Sequence, residues 1–208
     1  MKVAGILLAG GLSRRMGGGD KALKTLGGKP ILDRVIERVR PQVTALALNA
    51  NGDPARFAHY GLPVVPDSVA GFPGPLAGIL AGLDWAAEHA KACSHVASFA
   101  TDAPFLPRDL VDCLVETLRR EPVDLVCAAS HGRPHPVFGL WPVRLREDLR
   151  RAITVEGVRK VDAWTDRFRL TEVDFPGDPI DPFFNANAPE DLAEAERVLA
   201  LEAEHGAR

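Results

Sequence analysis

The residues best equipped for chemistry gather near the front of the chain. Leu8-Ala9-Gly10-Gly11-Leu12-Ser13-Arg14-Arg15-Met16-Gly17-Gly18-Gly19-Asp20-Lys21 interleaves five glycines with three cations. Glycine lets backbone N–H groups come close to phosphate oxygens. Arg14, Arg15 and Lys21 add charge that can offset several phosphate charges through charge-assisted bonds. The chemistry indicated is the grip of a nucleoside triphosphate; the bland alternative is a surface loop with incidental cations. Two rival phosphate motifs fail on spacing. Gly28-Lys29 is followed by Pro30 and has no glycine five residues before it, so it is not a P-loop, and no Gly-x-Gly-x-x-Gly spacing occurs in the segment.

Asp102 is the second anchor. It follows an apolar run and precedes Pro104 by two residues. A carboxylate there can bind Mg²⁺, a hard cation that takes one or two carboxylates together with substrate phosphates and water. The alternative is a turn-forming Asp, and Asp67, in front of which Val64-Val65-Pro66 runs, is open to both readings. Gly74-Pro75-Leu76-Ala77-Gly78 opens a helix whose free N–H groups could face an anion or a neighbouring loop. His131 and His135 are four apart, but Gly132, Pro134 and Pro136 forbid the helix that would pair them, so a substrate-loop role is favoured over metal binding. Trp85, Trp141 and Trp164 read as core, and Glu190, Asp191, Glu194 and Glu196 as a solvated helix face.

These residues need a scaffold. Val3 to Ala9 is a continuous apolar run ended by glycine, the pattern of a strand buried on both faces of a parallel sheet. The glycine-rich segment therefore leaves the carboxyl edge of a sheet, where open α/β folds bind ligands. Further strands are expected at Ala45–Leu48, Val64–Val65, His95–Ala100 and Val123–Ala129. Helices are expected at Ile31–Arg40, Leu76–Ala90 and Leu110–Leu118. Beyond Ser130, residues 131–136 read as a loop leading into Val137–Trp141; Leu145–Ile153 and Val158–Trp164 look helical. Asn187-Ala188-Pro189-Glu190 resembles a capping box before a last helix to about Glu204. The fold expected is α/β, three-layered and Rossmann-like, with a mainly parallel sheet. One domain is expected over 1–208, with a nucleotide-binding half to about 130 and a second half from about 131.

Bulk properties fit that frame. The chain has 208 residues and a net charge of −3, without the basic stripe that nucleic-acid binding requires. Cys93, Cys113 and Cys127 are scattered and odd in number, so neither a zinc knuckle nor a disulfide framework is indicated. No apolar run approaches the length of a membrane span, and a cytoplasmic monomer is expected by default.

The N-terminal segment resembles the signature of the molybdenum cofactor guanylyltransferases, the MobA family. That pattern is Leu-Ala-Gly-Gly, then Arg-Met-Gly, then Asp-Lys, here Leu8 to Gly11, Arg15-Met16-Gly17 and Asp20-Lys21. The likeness continues through Gly74 to Gly78, Asp102-x-Pro104, His135-Pro136-Val137 and Asn185-Ala186-Asn187-Ala188-Pro189-Glu190-Asp191-Leu192. Thr101 and Ala188 depart from the family's usual Cys and Thr. The resemblance implies a three-layer Rossmann-like nucleotidyltransferase domain with a mainly parallel sheet, and transfer of GMP from GTP to the terminal phosphate of molybdopterin, with Mg²⁺ as cofactor. It implies catalytic roles for Arg15, Lys21 and Asp102, with Asp102 as metal ligand. It places Leu8, Ala9, Gly10, Gly11, Lys21, Asn51, Asp67 and Asp102 at GTP, and sets His135, Asn185 and Asn187 facing molybdopterin. Molybdoenzymes or their chaperones would receive the product. A cytidylyltransferase of the same superfamily and a non-catalytic nucleotide-binding regulator are the alternatives.

Overall fold

The computed structural model describes residues 1–9, 23–71, 74–178, 180–186 and 189–206. Strand β1 (Val3–Leu8) lies between β4 (Ala45–Asn49) and β6 (His95–Ala100) and runs parallel to both. That position explains its unbroken apolar sequence. Successive side chains of a strand point to opposite faces, and Val3 and Leu7 join one apolar cluster while Ala4 and Ile6 join the other. The two clusters are the two sides of one seven-stranded sheet of order β5-β4-β1-β6-β8-β7-β9. Its other members are β5 (Val64–Val65), β7 (Leu125–Ser130), β8 (Arg133–Pro142) and β9 (Leu170–Phe175). Only β8 is antiparallel to its neighbours in this sheet. A short hairpin of β2 (Thr25–Leu26) and β3 (Lys29–Pro30) stands apart.

Helices complete the three layers. On one side α1 (Ile31–Val39) buries Ile31, Leu32, Val35, Ile36 and Val39, the stripe its spacing predicts, beside α3 (Leu110–Arg120). Ala195 and Val198 of α6 (Pro189–Gly206) reach the same cluster. On the other side lie α2 (Pro75–His89), α4 (Arg146–Thr154) and α5 (Val161–Thr165), around Trp141 and Trp164. Helix α2 comes very close to the sheet because it turns glycines towards it. A Cβ on Gly82 would stand 2.8 Å from Ile6 Cβ, and one on Gly78 would stand 2.7 Å from Leu8 Cδ2.

The helix expected from Val158 starts only at Val161, and two larger features depart from the expectations. Residues 131–136 are not a loop. His131 (φ 50°) and Gly132 (φ 69°) form a two-residue hairpin turn in the left-handed region, and Arg133 already pairs with Ser130. The prolines mask this strand in the sequence. Its register jumps from His135 opposite Ala128 to Gly139 opposite Cys127, so Pro136 falls in a stretch that the ladder skips and where no N–H is required. The second departure is β9, which no apolar run announces. It is an edge strand, and Glu172 and Asp174 on it are consistent with the charge that keeps edges from pairing with other chains.

Candidate active site at the carboxyl edge of the sheet

The chain runs from β1 outward to β4 and β5, then returns to place β6 on the other flank of β1. The switch point between β1 and β6 is where ligands bind in open α/β sheets. In register, Leu8 stands beside Asn49 on one side and Ala100 on the other. Ala9, Ala50 and Thr101 therefore leave the sheet side by side. Ala9 N–H donates to Asn49 O at 2.9 Å, and the buried Thr101 hydroxyl donates to Leu8 O at 3.2 Å. The entry to the glycine-rich segment is thus tied to the residue next to Asp102.

Asp102 is half-buried in a turn whose continuation is locked. Ala103, Phe105 and Leu106 are buried, Arg38 Nη1 donates to Leu106 O at 3.1 Å, and Gln42 Nε2 donates to Pro107 O at 2.9 Å. The Asp102 carbonyl accepts a bond from Ala186 N–H at 3.0 Å, which brings Asn185 to the same edge.

Across β1, Asp67 is built into a polar wall. Its carboxylate accepts from Asn49 Nδ2 at 2.9 Å and from Asn51 Nδ2 at 2.7 Å. Its own N–H donates to Asn51 Oδ1 at 3.0 Å, so Asn51 and Asp67 clasp each other twice. Asn49, 3% exposed, also donates to Val65 O at 3.1 Å. Asp67 follows β5 and Asp102 follows β6, three strand spacings or about 14 Å across the sheet, too far for one metal ion to join them. Among the described residues no group of three or more His, Cys, Asp or Glu side chains could hold a metal.

On the far side of β6, His135 meets Ser130 and Asp181. Ser130 Oγ donates its single proton to Asp181 Oδ1 at 2.8 Å, so the 2.7 Å contact to His135 is an Nε2–H donating to Ser130. Burial pushes the His135 pKa down, Arg133 adds to that, and Asp181 opposes it. The neutral ring keeps Nδ1 as an acceptor.

The described residues thus bring together Leu8, Ala9, Asn51, Asp67, Asp102 and Asn185 along one edge, with His135 on its β7–β8 flank. Gly10, Gly11, Arg15, Lys21 and Asn187 lie outside the described residues. Asn49, Ser130 and Asp181 were not singled out from sequence. A polar residue ending an otherwise apolar strand is the signal that Asn49 and Ser130 carry; Asp181 offers none.

Residues 5–169 match the family described as MobA-like NTP transferase domain. A Bradyrhizobium sp. (strain ORS 278) protein named molybdenum cofactor guanylyltransferase is 60% identical over 200 residues, covering 96% of this chain and 94% of that one. A protein of the same name from Nitrobacter hamburgensis is 57% identical, covering 95% of each chain. Among solved structures, molybdopterin-guanine dinucleotide biosynthesis protein A from Archaeoglobus fulgidus superimposes with a TM-score of 0.74 at 25% identity, over 96% of this chain and 99% of that one. With the family model matched over residues 5–169 and relatives 57–60% identical across nearly the whole chain, this protein belongs to the MobA-like NTP transferase family.

Proposed function

We propose that this chain transfers GMP from GTP to the terminal phosphate of molybdopterin, releasing pyrophosphate. The adjacency of the β1 exit at Leu8–Ala9 and the β6 exit at Thr101–Asp102 supports this reading most directly. The reaction needs triphosphate-binding groups and a metal-binding carboxylate around one α-phosphorus. Its relatives' name, molybdenum cofactor guanylyltransferase, supplies the substrate pair.

Asp102 would hold Mg²⁺. A carboxylate just past the end of a sheet strand suits a cation that completes its shell with phosphate oxygens and water. Bound there, Mg²⁺ would neutralise charge that develops on the phosphates. Leu8, Ala9, Gly10 and Gly11 hold the nucleotide through backbone groups, and Lys21 and Arg15 stabilise the triphosphate and the departing pyrophosphate. An oxygen of the molybdopterin phosphate attacks the α-phosphorus while the bond to the β-phosphate's bridging oxygen breaks in line. That nucleophile is already anionic, so no general base is needed. Asn51 and Asp67 meet guanine, whose N1–H and N2–H₂ donors call for acceptors; cytosine would leave them unpaired. His135, Asn185 and Asn187 face molybdopterin.

The chain works as one domain over 1–208, with the nucleotide half to about 130. The insertion of β8 between β6 and β7 in a single sheet supports this. No helix among the described residues is long and apolar enough to cross a membrane, in keeping with a cytoplasmic enzyme. The test is direct. With molybdopterin and Mg²⁺ the purified protein consumes GTP in preference to CTP; equal turnover of the two refutes the base assignment. Asp102→Ala abolishes transfer with an unchanged circular dichroism spectrum; full activity in that variant refutes the metal assignment.

A further inference from the structure

We propose that Asp181 is a positioning residue for the acceptor side of this reaction: it fixes the 181–186 segment, whose far end is bonded to the backbone of Asp102. This rests on the reading of Asp102 as the centre of nucleotidyl transfer. Asp181 Oδ1 accepts from Ser130 Oγ at 2.8 Å and from Phe183 N–H at 2.9 Å. Ser130 is an immobile partner. It is 1% exposed and paired in the sheet with both Arg133 and Phe175. Phe183 is buried against His135, Phe138 and Phe175, with ring centroids 4.7, 4.9 and 5.7 Å away. Phe184 N–H closes a turn onto Asp181 O at 3.0 Å.

The segment is therefore clipped to the β7–β8 hairpin at its start. Five residues later, a span of about 17 Å at most, Ala186 donates to Asp102 O at 3.0 Å. Asn185 lies between these anchors and is exposed. Removing the Asp181 carboxylate leaves a buried hydroxyl and a backbone N–H without their acceptor and releases the near end. The Asn49–Asn51–Asp67 wall, on the other side of β1, keeps every bond. The effect falls on the acceptor and spares the nucleotide.

The experiment measures both Michaelis constants and amide hydrogen exchange in wild type, Asp181→Ala, Asp181→Asn and Ser130→Ala. Asp181→Ala is expected to raise KM for molybdopterin about tenfold, part of the worth of the two charge-assisted bonds lost, with KM for GTP unchanged. Asp181→Asn keeps an oxygen acceptor and is expected to restore most of the loss. Exchange at the Phe183 and Ala186 amides should rise in Asp181→Ala and not in Asp181→Asn. Ser130→Ala, which preserves the Phe183 bond, should give a smaller change of the same kind, and it carries the test if Asp181→Ala does not fold. An unchanged molybdopterin KM, equal rises for both substrates, or unaltered exchange at Ala186 would overturn the proposal. A wild-type protein inactive on GTP and molybdopterin refutes the proposed function instead, and the exchange measurements still decide whether Asp181 holds the segment.

Discussion

Asp67→Asn tests the proposal that this carboxylate reads the guanine edge. An ionised carboxylate offers about four lone-pair positions. Asn49 Nδ2 and Asn51 Nδ2 occupy two of them, at 2.9 and 2.7 Å. The remaining two match in number the N1–H and N2–H donors on one edge of guanine. The substitution keeps shape but removes the charge and turns one oxygen into a donor. That donor must face either a neighbouring amide N–H₂ or the base. One charge-assisted bond is lost in either case, about 1.5–3 kcal/mol, so kcat/KM for GTP should fall about 10- to 150-fold. The loss should appear mainly in KM, because Asp67 stands about three strands from Asp102. Inosine triphosphate sharpens the test, since it keeps N1–H and lacks the 2-amino group. Steady-state pyrophosphate release with GTP and ITP, in wild type and variant, forms a double cycle. Wild type should prefer GTP and the variant should lose most of that preference. An identical GTP-to-ITP ratio in both proteins would show that Asp67 orders Asn51 and does not touch the 2-amino edge.

Three further outcomes follow from the scaffold. Gly82→Ala drives a methyl to 2.8 Å from Ile6 Cβ, which should destabilise the fold by about 1–3 kcal/mol and lower Tm by several degrees in a thermal melt. Ser98→Ala removes the acceptor of the Trp141 Nε1–H bond, 2.8 Å, and the donor to Val137 O; with both groups in a buried network, urea unfolding should show a loss of about 1–3 kcal/mol. His95 is held down to a pKa of about 4 by burial and by Arg144. Between pH 4 and 6.5 the unfolded chain binds a proton that the native His95 refuses, so this part of stability is whole above pH 6.5 and fades as pH falls. Tm should drop from pH 7 to pH 4.5, and His95→Gln should flatten that slope; His135, also lowered, acts with the same sign.

Local patterning was enough to announce much of the protein. The unbroken apolar run of β1, the stripe of α1 and the strand ends at Leu8 and Ala100 are legible because each is dictated by neighbours along the chain. The glycines and cations after β1 are, by their types alone, the basis of the proposed grip on a triphosphate. What the sequence could not declare is anything set by strand order. That Leu8 stands beside Ala100 rather than elsewhere depends on the chain's return across β1, a choice made by packing between elements nearly a hundred residues apart. The same holds for β8. Its prolines argue against a strand, and only the His131–Gly132 turn together with its neighbours β6 and β7 makes it one. Asp181 is the clearest case. Nothing in its sequence surroundings marks it, and its meaning comes wholly from Ser130, 51 positions away. A hydrogen bond acts over about 3 Å of space whatever the distance along the chain, so only the folded arrangement decides which polar groups meet.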